Sequence, residues 1–135
     1  MRYLIALASC LLFLSLQAQA CRGHILEDTL FFETLPSPPL NANLIAKVSL
    51  SELSRGTATA EIIQVLTTSA TEIHQGEKFP IKFSFSSCGP NHKNGATGVI
   101  IAKTGIDSVG HLVLYPYMRR YSDGRITPPH LDADR

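Results

Sequence analysis

From Asn43 onward the chain is written in alternating apolar and polar positions, the period of a half-buried strand. Leu44, Ala46, Val48 and Leu50 share one face of a first strand. Thr57 to Thr68 alternates through Ala58, Ala60 and Ile62, then shifts phase around Ile63, Val65 and Thr67. A phase change inside a long strand predicts a bulge or a sharp bend, as small barrels require. Phe79, Ile81, Phe83 and Phe85 form the cleanest alternation, with Lys82 and Ser84 between them. Val99 to Ala102 is apolar throughout, which predicts a strand buried on both sides. Leu112 to Tyr117 is the last run, and Pro116 is expected to end its regular pairing. Ser51-Glu52-Leu53 is compatible with a single helical turn. Turn residues punctuate the runs at Arg55-Gly56, Gln75-Gly76, Cys88-Gly89-Pro90-Asn91, Asn94-Gly95 and Asp107 to Gly110. Five short strands separated by such turns predict a mostly β fold, an antiparallel barrel or sandwich.

The flanks read differently. Residues 22–42 form an irregular arm, with a short apolar piece at Leu30-Phe31-Phe32 and then Pro36-Ser37-Pro38-Pro39. Prolines deny a sheet its donors, so that stretch is a connector and not sheet interior. Residues 127–135, with Pro128-Pro129, are expected to be a loosely ordered tail. The chain opens with Met1-Arg2-Tyr3, continues almost wholly apolar from Leu4 to Leu16, and reaches small residues at Ala18 and Ala20. That order of a basic start, an apolar core and a small-x-small site is a signal peptide, cleaved after Ala20. The apolar core is too short to span a bilayer, which takes about 20 residues. The expected organisation is therefore a signal peptide over 1–20, an arm over 21–42, a barrel over 43–126 and a tail over 127–135, exported to the periplasm or the medium.

Charge narrows the partners. The sequence holds 12 Lys and Arg against 11 Asp and Glu. Loss of Arg2 with the signal leaves a mature chain of zero net charge. Nucleic acid and acidic membranes call for clustered positive charge, whereas Arg119-Arg120 is the one adjacent basic pair and reads as a solvated surface feature. The expected partner is thus an unidentified protein or small ligand, with no nucleic acid and no membrane unless Cys21 carries a lipid.

Of the 3 cysteines, Cys10 leaves with the signal, and Cys21 and Cys88 remain. In an oxidising compartment an even count points to a bridge. The alternative is a lipidated Cys21 beside an unbridged Cys88. Leu7-Ala8-Ser9-Cys10 matches a lipoprotein box but sits in the middle of the apolar core, and Ala18-Gln19-Ala20 before Cys21 lacks the leucine of such a box.

Little in the sequence points to catalysis. His24, His74, His92, His111 and His130 lack metal-ligand spacing. His92, in the polar loop beside Asn91, Lys93 and Asn94, is the best placed of them for binding a partner. Ser86-Ser87-Cys88-Gly89 is not a nucleophile elbow, Gly95 to Gly98 lacks the Lys-Ser/Thr of a phosphate loop, and the carboxylates Glu27-Asp28 and Asp132/Asp134 lie in the arm and tail. A non-enzymatic protein is expected, with no cofactor and no metal. Tyr115, Tyr117 and Tyr121 are expected mainly as barrel packing rather than a stacking surface.

A cysteine directly after the cleavage site, strand runs at Leu44–Leu50, Thr57–Thr68 and Lys78–Ser86, then Ser87-Cys88-Gly89, and runs at Gly98–Thr104 and His111–Tyr117 together form an ordered pattern. This pattern resembles the OB-fold of the netrin-like superfamily, which includes the tissue inhibitors of metalloproteinases. The resemblance implies a small five-stranded OB-like antiparallel barrel with an N-terminal arm and one disulfide, Cys21 to Cys88. It also implies that the amino group and carbonyl of Cys21 are the place to look for protease inhibition, with Arg22 entering the specificity pocket. Gly23 departs from the pattern, because the inhibitors carry a second cysteine at that position. The overall expectation is an exported binding or interaction module, with metalloprotease inhibition through Cys21 and a surface lipoprotein as the alternatives.

Overall fold

The computed structural model describes residues 27–131, and every element among them is a strand. In chain order these are β1 (Asp28–Thr29), β2 (Leu44–Ser54), β3 (Thr57–Thr68), β4 (Lys78–Lys82), β5 (Thr97–Ile106), β6 (Leu112–Pro116), β7 (Met118–Arg120) and β8 (Ile126–Thr127). Five of them close a barrel in the order β2-β3-β4-β6-β5, and the other three form a small sheet, β1-β7-β8. Numbered within the barrel, the strands run first, second, third, fifth, fourth, which is an OB-like arrangement.

The barrel is not antiparallel throughout. Four seams are antiparallel, but β4 meets β6 in parallel, with Ile81 opposite Leu114. An odd number of strands cannot alternate direction all the way round a ring, so one seam has to be parallel.

The predicted phase change in β3 is two bulges. Register against β2 skips Leu66 between the pairs Ile45↔Thr67 and Ala46↔Val65, and skips Ile63 between Lys47↔Gln64 and Val48↔Ile62. Each extra residue sharpens the twist, which lets two long strands coil around so narrow a core. At the other end of β2 the expected helical turn is absent. Glu52 and Leu53 instead form a further bulge opposite Ala58, with Glu52 at φ 51 and its carboxylate accepting the Thr59 hydroxyl at 2.6 Å. The alternation ending at Phe85 also stops early: β4 finishes at Lys82, Phe83 is buried, and Phe85 faces solvent.

Leu44, Ala46, Val48, Leu50, Ala58, Ala60, Ile62, Ile81, Ile100, Ala102 and Leu114 fill the barrel. β5 is buried on both faces as the Val99–Ala102 run predicts. Ile100 and Ala102 point inward, while Ile101 lies outside beneath Phe32 and Tyr117. That outer cluster is covered by the arm through Leu40 and Ala42, and the Tyr117 hydroxyl donates to the Asn41 carbonyl at 2.7 Å. Tyr115 and Tyr117 are buried as packing residues, whereas Tyr121 is exposed. Pro116 is the last residue of β6, and the chain leaves the barrel there for β7. The arm holds more order than its composition suggested. β1 lies in the arm, and Thr127 pairs with Met118.

Candidate functional site

The rim of the barrel that carries Cys88 is where the arm is fastened. After β4 the chain makes a tight turn in which Ser86 and Gly89 exchange backbone hydrogen bonds, each at 3.1 Å. The Ser86 hydroxyl also accepts the Cys88 amide at 3.2 Å. Cys88 is half-buried on this turn. Gly89 has φ 103, a backbone state that L side chains resist, and a Cβ there would stand 3.1 Å from the Asp28 carbonyl. The glycine after Cys88 therefore lets the arm's backbone pass directly against the turn.

The arm accepts that invitation through its own main chain. The Asp28 amide donates to the Cys88 carbonyl at 3.1 Å, and Phe32 donates to Val99 at 2.8 Å. On the other side the Tyr121 amide donates to the Glu27 carbonyl at 3.1 Å, and the Asp28 carboxylate accepts from Arg120 at 3.3 Å. Arg119 Nε donates to the Phe31 carbonyl at 3.3 Å.

His92 occupies the centre of this junction. Its Nε2 accepts the Leu30 amide at 3.1 Å and lies 3.3 Å from the Thr29 hydroxyl, which itself accepts the Phe31 amide at 3.1 Å. Because a backbone N–H points at Nε2, that nitrogen carries the lone pair and the ring proton sits on Nδ1. The Thr29 side chain is 1% exposed, so its hydroxyl depends on these two partners. The Phe31 ring packs on the imidazole at 4.4 Å, tilted by 44°. Burial lowers the His92 pKa below its ordinary value, which keeps the ring neutral and accepting.

Phe31 is seated by a missing side chain. A Cβ at Gly98 would fall 2.3 Å from Phe31 Cγ, so the ring uses the space that glycine leaves on β5. Gly98→Ala is expected to cost about 1–3 kcal/mol by overpacking. The same alanine in a Phe31→Ala background should cost much less, and equilibrium unfolding of the four proteins measures the difference. Additive losses would mean that the ring is not held by this contact.

Cys21 and Arg22, the residues expected to act at the amino terminus, lie outside the described residues, as does the signal segment. The chain enters the described region at Glu27, beside Cys88. His92, the histidine expected to be best placed for binding a partner, turns its Nε2 to the arm residues Thr29 and Leu30. That nitrogen therefore has no lone pair left for a partner beyond the arm. His74, His111 and His130 are exposed, and among the described residues no three His, Cys, Asp or Glu side chains are gathered to hold a metal ion. Thr29, Phe31 and Gly98 were not among the candidate site residues read from the sequence. Gly98 carried a usable signal, since a glycine inside a strand often marks a close approach of another chain segment.

A concavity of about 380 Å³ opens at the β2–β3 turn, lined by Arg55, Gly56, Thr57, Lys82, Phe83, Ser84 and His130. The Arg55 guanidinium stands 6.0 Å over the exposed Phe85 ring. Among the described residues no helix is long and apolar enough to cross a membrane. The chain matches no known protein family, no curated protein and no solved structure.

Proposed function

We propose that this chain is an exported, non-enzymatic interaction module. In this reading the OB-like barrel is a rigid stand, and the amino-terminal arm is the part presented to a partner. The observation that carries it is the hydrogen bond from the Asp28 amide to the Cys88 carbonyl, which brings the arm's main chain to the turn bearing Cys88. Cys21 lies seven residues before Asp28, and an extended chain of that length reaches roughly 23 Å. A bridge from Cys21 to Cys88 is therefore within easy reach and would fix the new amino terminus at the rim.

The intact mass of the exported protein tests this, measured with and without reduction and alkylation. A mass that starts at Cys21 and gains two alkyl groups only after reduction is the expected result. A diacylglyceryl group on Cys21 would overturn it, because the thiol would then be spent on the lipid and the chain would be a surface lipoprotein.

The same geometry favours one more specific reading, inhibition of a zinc protease. In the netrin-like inhibitors a first cysteine bridged to a Cys-Gly after the third barrel strand offers its amino group and carbonyl to the protease zinc. Here Cys88-Gly89 follows the third barrel strand, and the arm reaches it. Arg22 would then enter the specificity pocket, so a susceptible protease must accept a cation there. Slowed cleavage by zinc endopeptidases at micromolar inhibitor, abolished when the α-amino group is acetylated, is the expected outcome. No slowing across such a panel rules the inhibitor reading out and leaves the broader module intact.

A further inference from the structure

The arm and the barrel are joined at a titratable acceptor. We propose that His92 is an acid-sensitive clasp, and that protonating its Nε2 releases arm residues Asp28 to Phe32 from the barrel rim. The inference concerns the arm's attachment and does not depend on what the arm binds.

The chemistry is a matter of lone pairs. Nε2 has one, and it serves the Leu30 amide at 3.1 Å with the Thr29 hydroxyl 3.3 Å away. A proton on Nε2 turns the acceptor into a donor facing an N–H that cannot rotate away. The Thr29 hydroxyl, buried, loses an acceptor at the same moment. An imidazolium would also be held in a site that disfavours its charge by burial. These costs are removed together if the arm lifts and His92 meets water.

The other groups around the junction do not supply a compensating anion at the ring. On the arm, Asp28 is paired with Arg120 at 3.3 Å, and Glu33 lies 4.0 Å from Arg119. On the loop that carries His92 the adjacent charge is Lys93, a cation, which opposes protonation. β7 contributes Arg119 and Arg120, and Gly98 of β5 lies against the Phe31 ring.

The sign follows from the lowered pKa. The closed arm binds the proton more weakly than the open one, so the closed state is fully favoured above 6.5, the ordinary histidine value. It loses ground as pH falls from there toward the pKa of the clasped ring. Within that window the opening constant rises by up to about tenfold per pH unit, and below it the effect levels off. Keeping the titration above about pH 5 separates the imidazole from ordinary carboxylates, which titrate lower.

The test is amide hydrogen exchange by NMR on the mature protein, from neutral pH down to that limit, beside a His92→Gln variant. Glutamine offers a carbonyl acceptor at a similar reach and does not titrate. Protection of the Leu30 and Phe32 amides should fall several-fold in the native protein on acidification while Val48 and Ile100 in the barrel hold. The glutamine variant should show no such arm-specific loss. Equal arm protection at both ends of the range, or an equal loss in the glutamine variant, overturns the clasp. The native protein alone supplies a second reading if the variant folds poorly. The His92 ring and the Leu30 amide should shift with one midpoint, below 6.5. A Leu30 amide indifferent to the ring's titration also overturns the proposal. Because the arm's release is read directly, the clasp can fail while the interaction reading stands, and the reverse.

Discussion

Given the proposed bridge closing residues 21–88, Cys88→Ser is expected to lower the stability of the protein by roughly 4 kcal/mol, the chain-entropy value for such a loop. For a domain of this size that is a large part of the usual 5–15 kcal/mol, and a fall in melting temperature on the order of 15 °C follows. The stabilisation arises in the unfolded chain. A closed loop of that length has far fewer conformations to lose on folding, whereas the native arm is already hydrogen-bonded to the Cys88 turn. Reduction of the native protein should reproduce the loss, and thermal melts with and without reductant measure it. The two treatments should not add, since each breaks the same bond. Melts that are identical with and without reductant would remove the bridge and, with it, the argument that the amino terminus is anchored at the rim.

Leu114→Ala is expected to be nearly as damaging, at about 3 kcal/mol within the 2–5 typical of buried leucines. Leu114 is 0% exposed and is the β6 residue at the closure of the barrel. It lies opposite Thr104 on one side and opposite Ile81 across the parallel seam on the other. A cavity at that point borders the junction with the fewest paired residues, so neighbouring strands have little freedom to collapse into it without opening the ring. Urea unfolding gives the number. Val109→Ala, at a position 71% exposed, should stay within about 0.5 kcal/mol and serves as the comparison. A loss under 1 kcal/mol for Leu114→Ala would mean that the seam closes without support from this side chain.

Much of the barrel was legible because burial on one face of a strand leaves a period of two. Leu44 through Leu50 and Ala58 through Ile62 show that period and are buried as it requires. The broken phase at Ile63 to Thr67 was equally readable, because a bulge moves the next side chain to the opposite face. Ser51-Glu52-Leu53 was not. A bulge with a residue at positive φ and an isolated helical turn look alike over three residues, and only pairing with Thr59 and Thr57 separates them. Phe85 misled for a related reason. Alternation says which residues share a face but not where the partner strand ends, and β4 ends three residues earlier.

The candidate site divides along the same line. Cys88-Gly89 and His92 stood out as residue types in a turn, and they do lie together at the rim. Their working partners, Thr29, Phe31 and Gly98, come from segments distant in sequence, and no local pattern links a threonine in an arm to a histidine 63 residues later. The five barrel strands, most of their inward faces, the break in β3 and the end of β6 were readable from the sequence, since each depends on neighbours along the chain. The tertiary structure alone decided the parallel seam, the two-residue strand inside the arm and the clasp at His92. Those depend on which segments meet once the ring has closed, and an odd ring and a buried amide each admit few ways of being satisfied.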